Sequence, residues 1–216
     1  MIPEGATVKD QDFDYVKWDV WNARNSPKFP HSKVIQFVFR NFSTPVRPGT
    51  TAFDLGCGSG SNTAFLCENG FATTATDVSG VAVKRTREAI QARGLRAEVL
   101  KVPIDQVALG KQSLDLVLCV GVLEFVPDPS AAEVIDRIVE GLKPEGKALL
   151  IFAAEGDFRK SDPVAIDLAM QFRSREQVDA ICEKHLGAFL WIDQYITTYE
   201  GDACRQIDWL ITMHKE

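Results

Sequence analysis

The sequence predicts an α/β fold, a parallel sheet with helices on both faces, and three observations carry that expectation. From residue 50 onward, short apolar, β-branched runs alternate with helical patterns. A glycine-dense turn follows directly on the first of those runs. The run Leu114–Val120 is nearly unbroken in apolar character, as a strand covered on both faces must be.

The elements follow in order. The first 48 residues are aromatic-rich and irregular, with Phe13, Tyr15, Trp18 and Trp21 ahead of Pro27 and Pro30. After Ser32, Val34, Ile35, Val38 and Phe42 recur at helical steps, until Pro45, Pro48 and Gly49 break the chain. Thr50–Leu55 reads as a strand, Gly56–Ser61 as a tight turn, and a helix from about Asn62 should stop near Gly70, a natural helix-terminating residue. Ala72–Thr76 is a second strand ending at Asp77, Ser79 can cap a helix running to Gly94, and Ala97–Val102 is a third strand. Leu114–Val120 is the fourth. Ser130 and Glu133 have capping-box spacing ahead of an apolar face formed by Val134, Ile135, Ile138 and Leu142. Pro144-Glu145-Gly146 turns into a fifth strand, Ala148–Ala153. Residues 155–173 have weak periodicity and read as a lid or insertion. Ser174 and Gln177 repeat the capping-box spacing for a helix ending at Gly187, and Phe189–Thr198 and Gln206–Met213, separated by a loop around Gly201, should pair as an antiparallel hairpin. The expected organisation is an N-terminal lid over residues 1–48 and one domain over 49–216.

The chain has 216 residues and a net charge of −6, with 24 basic and 30 acidic side chains. That balance lacks the electrostatic footprint of a phosphate-backbone binder, so no nucleic-acid partner is expected. No apolar run is long enough to span a bilayer, so no membrane partner is expected either. The five cysteines are odd in number and never spaced CxxC, which fits a reducing, cytoplasmic setting and neither a zinc nor a disulfide framework. Acids and histidines are scattered, so no metal is expected. The protein should be a monomer or homodimer.

The chemistry should sit where strands end, because ligands of such sheets bind at the carboxyl ends of the strands. Asp54-Leu-Gly56-Cys57-Gly58-Ser-Gly60 places three glycines after the first strand, where the backbone must turn sharply and admit a ligand close to the main chain. The dinucleotide fingerprint would need a glycine at position 61, where Ser61 stands, which disfavours a nicotinamide dehydrogenase. Asp77, at the end of the second strand, can accept both hydroxyls of a ribose or cap the next helix.

The motifs Asp54–Gly60, Asp77, Leu114-Asp-Leu-Val-Leu-Cys-Val-Gly-Val-Leu-Glu-Phe-Val126 and Leu142-Lys-Pro-Glu-Gly-Lys-Ala-Leu-Leu-Ile151 together resemble those of the class I S-adenosylmethionine-dependent methyltransferases, over about residues 50–153. The resemblance implies a Rossmann-like, seven-stranded sheet whose last, inserted strand is antiparallel, with the N-terminal helical segment closing as a lid. It implies S-adenosylmethionine as cofactor, with the Gly56–Gly60 main chain, including Cys57 and Gly58, around its methionine part and ribose. By the same resemblance Asp77 holds the ribose hydroxyls, Asp54 stands behind the turn facing the amino group, Val78 packs on adenine, and Val120 and Gly121 line the pocket near the sulfonium. Two departures stand out. Pro103 occupies the place where relatives often carry an acid beside the adenine, leaving the Ile104 main chain and Asp105 as candidates. Phe125 stands where many relatives have a histidine.

On the acceptor side, His31 can be a base over the pocket or a surface residue at a helix start. Glu124, after the fourth strand, can be catalytic or can cap and pair. Tyr15, Trp18 and Trp21 recur at three-residue steps, a buried helix face or, for Tyr15 and Trp18, a lid over the ligands. Lys28 can meet an anionic group or remain solvated. The function expected is methyl transfer to oxygen or nitrogen of a small-molecule acceptor, a metabolite, sugar-like or natural-product intermediate. The alternative is a non-catalytic cofactor-binding or scaffold protein that retains the fold.

Overall fold

The computed structural model describes residues 15–186, 190–199 and 204–215. Seven strands form one sheet: β1 (Thr51–Leu55), β2 (Ala72–Asp77), β3 (Ala97–Lys101), β4 (Leu114–Val120), β5 (Leu142–Ala153), β6 (Leu190–Tyr199) and β7 (Cys204–His214). Their order is β3-β2-β1-β4-β5-β7-β6. The first five run parallel, and β7 is inserted antiparallel to both β5 and β6. The chain winds outward from β1 to β3, then restarts at β4 on the other side of β1. That reversal opens the crevice at the carboxyl ends of β1 and β4.

Seven α-helices accompany the sheet among the described residues: α1 (Tyr15–Arg24), α2 (Ser32–Asn41), α3 (Ser61–Glu68), α4 (Gly80–Ala92), α5 (Asp128–Gly141), α6 (Pro163–Asp167) and α7 (Arg175–Ile181). The two-residue period of β4 divides its side chains between two cores. Val117 and Cys119 face α5 and α7, packing with Ile135, Ile138 and Val178. Leu116 and Leu118 face α2 and α3, packing with Val34, Val38 and Leu66. All ten are fully buried, and each contributes roughly 1–3 kcal/mol of transfer free energy. The unbroken apolar run in the sequence is therefore a strand with no solvent face.

Local signals at two helix starts act as expected. Ser79 Oγ accepts from Ala82 N at 3.1 Å and opens α4. Ser174 and Gln177 exchange side-chain and main-chain hydrogen bonds at the start of α7. Three expectations need correction. α5 begins at Asp128 and not at Ser130, because Pro127 and Pro129 hold φ values suited to a first turn and neither needs an N–H there. The turn at Pro144-Glu145-Gly146 lies inside β5 as a register shift, with Glu145 left-handed at φ 64° and Leu142 already paired to Leu114. The helix expected to reach Gly187 ends at Ile181 and continues as a 3₁₀ turn, Glu183–His185. Residues 155–173 hold a 3₁₀ turn (Phe158–Ser161) and α6. The placements expected for Phe13, Gly187, Phe189 and Gly201 lie outside the described residues, as does the side chain of Tyr15.

Candidate functional site

A cavity of about 760 Å³ opens at the crevice between β1 and β4. Its floor is the turn after β1. Gly56, Gly58 and Gly60 have φ of 72°, 53° and 79°, the left-handed region that costs other residues strain. Space adds a second requirement at two of them. A methyl group at Gly56 would lie 2.2 Å from Val122 Cγ2, and one at Gly60 would lie 2.9 Å from Thr86 Cα. The main chain can thus press against the loop after β4 on one side and against α4 on the other. Gly56 N and Cys57 N both donate to Thr76 O, at 2.8 and 2.9 Å, tying the turn to the end of β2.

Asp77 closes the far side of the turn. Its Oδ2 accepts from Gly58 N and its Oδ1 from Ser79 N, each at 2.9 Å. Burial is the main influence on this carboxyl and moves its pKa upward, against these N–H donors. Asp54 lies beneath the turn, buried, with Thr63 Oγ1 donating to its Oδ2 at 2.6 Å. Desolvation pushes its pKa up to about 6.

The N-terminal helix forms the opposite wall. Asp19 Oδ1 accepts from Ser79 Oγ at 2.6 Å and from Val81 N at 3.2 Å, so α1 caps the start of α4. Arg85 of α4 donates in return to the carbonyls of Asn22 and Ala23 at the end of α1. Ser59 Oγ donates to Pro27 O at 2.8 Å, which draws the following loop down onto the glycine turn. Trp18 meets Phe125 edge-to-face, with ring centroids 4.6 Å apart. That contact spans the cavity between α1 and the 3₁₀ turn Leu123–Phe125.

Among the residues singled out from sequence, Gly56, Cys57, Gly58, Asp77, Val78, Ile104, Asp105, Val120, Gly121, Trp18 and His31 all line this one cavity. Asp54, Gly60, Glu124 and Lys28 do not. The first two support the floor from below, and Lys28 lies between Pro27 and Phe29, which do face the cavity. Pro103 lies on the wall too, ahead of the 3₁₀ turn Ile104–Gln106. Arg137 holds that turn by donating to the carbonyls of Ile104, Asp105 and Val107 at 3.0, 2.6 and 3.1 Å.

His31 is the N-cap of α2: its Nδ1 accepts from Lys33 N at 3.2 Å, and its own N–H donates to Asn62 Oδ1 at 3.0 Å. Burial lowers its pKa. A neutral imidazole with Nδ1 occupied as acceptor carries its proton on Nε2, which is then a donor.

Sequence reasoning missed four contributors. Phe125 is the partner of Trp18, and Asn22 lines the cavity one helical turn beyond Trp18, a spacing that could have flagged it. Arg173 is 1% exposed and donates to Asp128 Oδ1, Leu123 O, Val126 O and Gln171 Oε1. It thereby fixes the loop that carries Phe125 and Val126 on the cavity wall. Arg159 bridges Asp157 and Asp208 at 2.7 and 2.6 Å beside the ends of β5 and β7. Each has one partner two residues away, Asp157 and Gln171, but the contacts that tie them to β7 and to the loop after β4 reach 45 to 50 residues along the chain and leave no local mark.

The strand order, the left-handed glycine turn and the carboxylate ending β2 define the class I S-adenosylmethionine-dependent methyltransferase fold, and the comparisons agree. Residues 52–146 match the family model described as a methyltransferase domain. It is 32% identical over 132 residues to a ubiquinone biosynthesis O-methyltransferase of Xanthomonas axonopodis pv. citri, covering 60% of this chain and 54% of that one. It is 26% identical over 175 residues to a carboxy-S-adenosyl-L-methionine synthase of Aeromonas hydrophila, covering 78% and 70%. For the ubiquinone-type relatives matched, the alignments span between 40% and 54% of their length. Among solved structures, the N-methyltransferase NodS of Bradyrhizobium japonicum WM9, in complex with S-adenosyl-L-homocysteine, superposes with a TM-score of 0.69 at 16% identity, covering 93% of this chain and 97% of that one. No helix among the described residues is long and apolar enough to cross a membrane.

Proposed function

We propose that the protein transfers a methyl group from S-adenosylmethionine to oxygen or nitrogen of a small-molecule acceptor, as a cytoplasmic monomer or homodimer without nucleic-acid or membrane partners. The observation that carries this reading is the cradle of Gly56, Gly58 and Gly60 closed by Asp77, in which side chains at two of the glycines would collide with Val122 and Thr86. A structural turn has no need of so much cleared main chain opening into a 760 Å³ cavity.

When bound, the cofactor supplies a methyl group already activated on a cationic sulfur. The chain's tasks are to bind, to align and to keep water out. Asp77 keeps lone pairs free beyond its two main-chain donors for ribose hydroxyls. The Gly56–Gly60 main chain lets the ligand approach closely, Asp54 sets negative charge beneath it, and Val78 with the Ile104–Asp105 turn bounds the adenine end. Trp18 and Phe125 exclude water above. The indole wall of α1 is the lid in this reading, with Tyr15 at its start and Lys28 at the rim. His31 orients the acceptor as a donor through Nε2–H.

Calorimetric titration with S-adenosylmethionine and S-adenosylhomocysteine, with NADH as control, tests the reading. We expect micromolar binding of both and none of NADH. Asp77→Ala should weaken binding by about 1–3 kcal/mol, the value of a charge-assisted hydrogen bond. A folded protein that binds neither ligand would remove the methyltransferase reading and favour the scaffold alternative.

A further inference from the structure

Glu124 is 3% exposed, and its Oε2 has no hydrogen-bond partner among the described residues. A buried carboxyl oxygen left unpaired is costly unless the group is neutral or a ligand answers it. The two nearby cations do not answer it. Arg173 gives its donors to Asp128, Gln171 and the carbonyls of Leu123 and Val126. Arg159 gives its own to Asp157 and Asp208.

What separates Glu124 from the cavity is Gly121. This residue lines the cavity and is left-handed at φ 72°. A methyl group placed on it would have Glu124 Oε1, at 3.9 Å, as its one neighbour within 4 Å outside the adjoining chain. The next residue, Val122, touches Gly56 of the cradle. The carboxyl therefore stands behind an unscreened stretch of main chain, directly across from the cofactor turn.

We infer that Glu124 is a charge sensor for the cofactor: it gives up its proton when a cationic ligand occupies the cavity and takes it back when the ligand is neutral. The inference rests on the cofactor reading above. The balance is simple. One positive charge enters the cavity, Glu124 becomes a carboxylate, and its proton passes to the buffer. S-adenosylmethionine and S-adenosylhomocysteine differ by one methyl group and that one charge, so the same cavity would favour the methyl donor over the spent product. Burial supports the assignment by pushing the carboxyl up to about 7, near neutrality. The charged and titratable groups that act on it are Arg159 ahead of α6, Asp208 on β7, Arg173 ahead of α7 and the buried Cys119 thiol on β4. Asp54 and Asp77 lie under the other side of the cradle; Asp54, pushed up to about 6, titrates below Glu124, so Glu124 is the group that dominates the difference between the two ligands from pH 7 upward.

The test is calorimetry of the wild-type protein with each ligand at pH 6, 7 and 8, in buffers of differing ionisation enthalpy. We expect S-adenosylmethionine to release up to one more proton near pH 7 than S-adenosylhomocysteine does. The affinity ratio of methyl donor to product should rise with pH, by up to tenfold per unit where a whole proton is released. Glu124→Gln should flatten that ratio while still binding S-adenosylhomocysteine. Equal proton release for the two ligands, or a pH-dependent ratio that survives in Glu124→Gln, would overturn the inference and leave the cofactor reading intact. Absence of binding by either ligand would instead defeat the cofactor reading itself. The proton count comes from the wild-type chain and so does not depend on the variant folding.

Discussion

Single atoms decide much of the site. At Gly56 two costs coincide: a left-handed φ, worth about 1–2 kcal/mol against any other residue, and a collision of 2.2 Å with Val122 Cγ2. Gly56→Ala should therefore abolish measurable binding of S-adenosylhomocysteine and lower stability. Val122→Ala alone should be mild, and the double variant should recover the collision cost and not the φ cost. A double-mutant cycle by urea unfolding reads this as a favourable coupling; strict additivity would show that the collision is relieved elsewhere. Glu124 offers a residue-scale test on stability. Its ordinary pKa of 4.5 rises to about 7 in the fold. Below pH 4.5 both folded and unfolded chains hold the proton. Between 4.5 and 7 the unfolded chain loses it and the folded chain keeps it, so stability falls as pH rises, and above 7 the loss is complete. The shift corresponds to roughly 3 kcal/mol at 1.4 kcal/mol per unit. Glu124→Gln should match the wild type at pH 4.5 and exceed it at pH 8, as measured by urea unfolding at both. Equal stabilities at pH 8 would mean that burial does not raise the carboxyl's pKa.

Among the elements, α1 is held to the rest of the fold by three polar clamps, one of them the ion pair of Lys17 with Asp167 of α6 at 3.0 Å. Asp19 caps α4, and Arg85 closes the end of α1. Val16 and Val20 on its outer face are exposed. Asp19→Ala removes a charged cap worth about 1–2 kcal/mol. It should loosen α1, speed tryptic cleavage at Lys17 and Arg24, and weaken S-adenosylhomocysteine binding several-fold. The denaturant midpoint of the sheet should barely move. Unchanged cleavage would show that Arg85, Lys17 and the Trp18–Phe125 contact hold the helix without the Asp19 cap. The contrast between elements also explains what was legible in sequence. β4 announces itself because both of its faces are buried, and α7 because its capping box is local. α5 was displaced by two residues because proline at a helix start outweighs a capping-box spacing. The β5 bulge was hidden because Pro144-Glu145-Gly146 has turn chemistry whether or not pairing continues around it.

At the scale of the molecule, the fold was legible because two-sided burial marks the central strands β1, β4 and β5 as apolar runs, and the helical patterns between them set the strand–helix alternation. The cofactor floor was legible for a related reason: Gly56, Gly58, Gly60 and Asp77 fall at strand ends, where topology sends ligands. The acceptor side was less so. The spacing of His31 does not show that Lys33 N occupies its Nδ1, and the contacts of Arg159 with Asp208 and of Arg173 with Leu123 follow no local pattern. The whole-molecule consequence is that ligand and fold share one cavity whose walls come from α1, the glycine turn and the loop after β4. A ligand that binds only the folded chain stabilises it by about 2.7 kcal/mol at a hundredfold excess over Kd. In a chain of this size each kcal/mol moves the melting temperature by roughly 2–4 °C. S-adenosylhomocysteine at that excess should thus raise Tm by about 5–10 °C, read by scanning calorimetry. Asp77→Ala should lose most of that rise at the same ligand concentration, and Asp19→Ala part of it. A full rise in Asp77→Ala would place the ligand elsewhere than on the β2 carboxylate and would require the floor of the site to be redrawn.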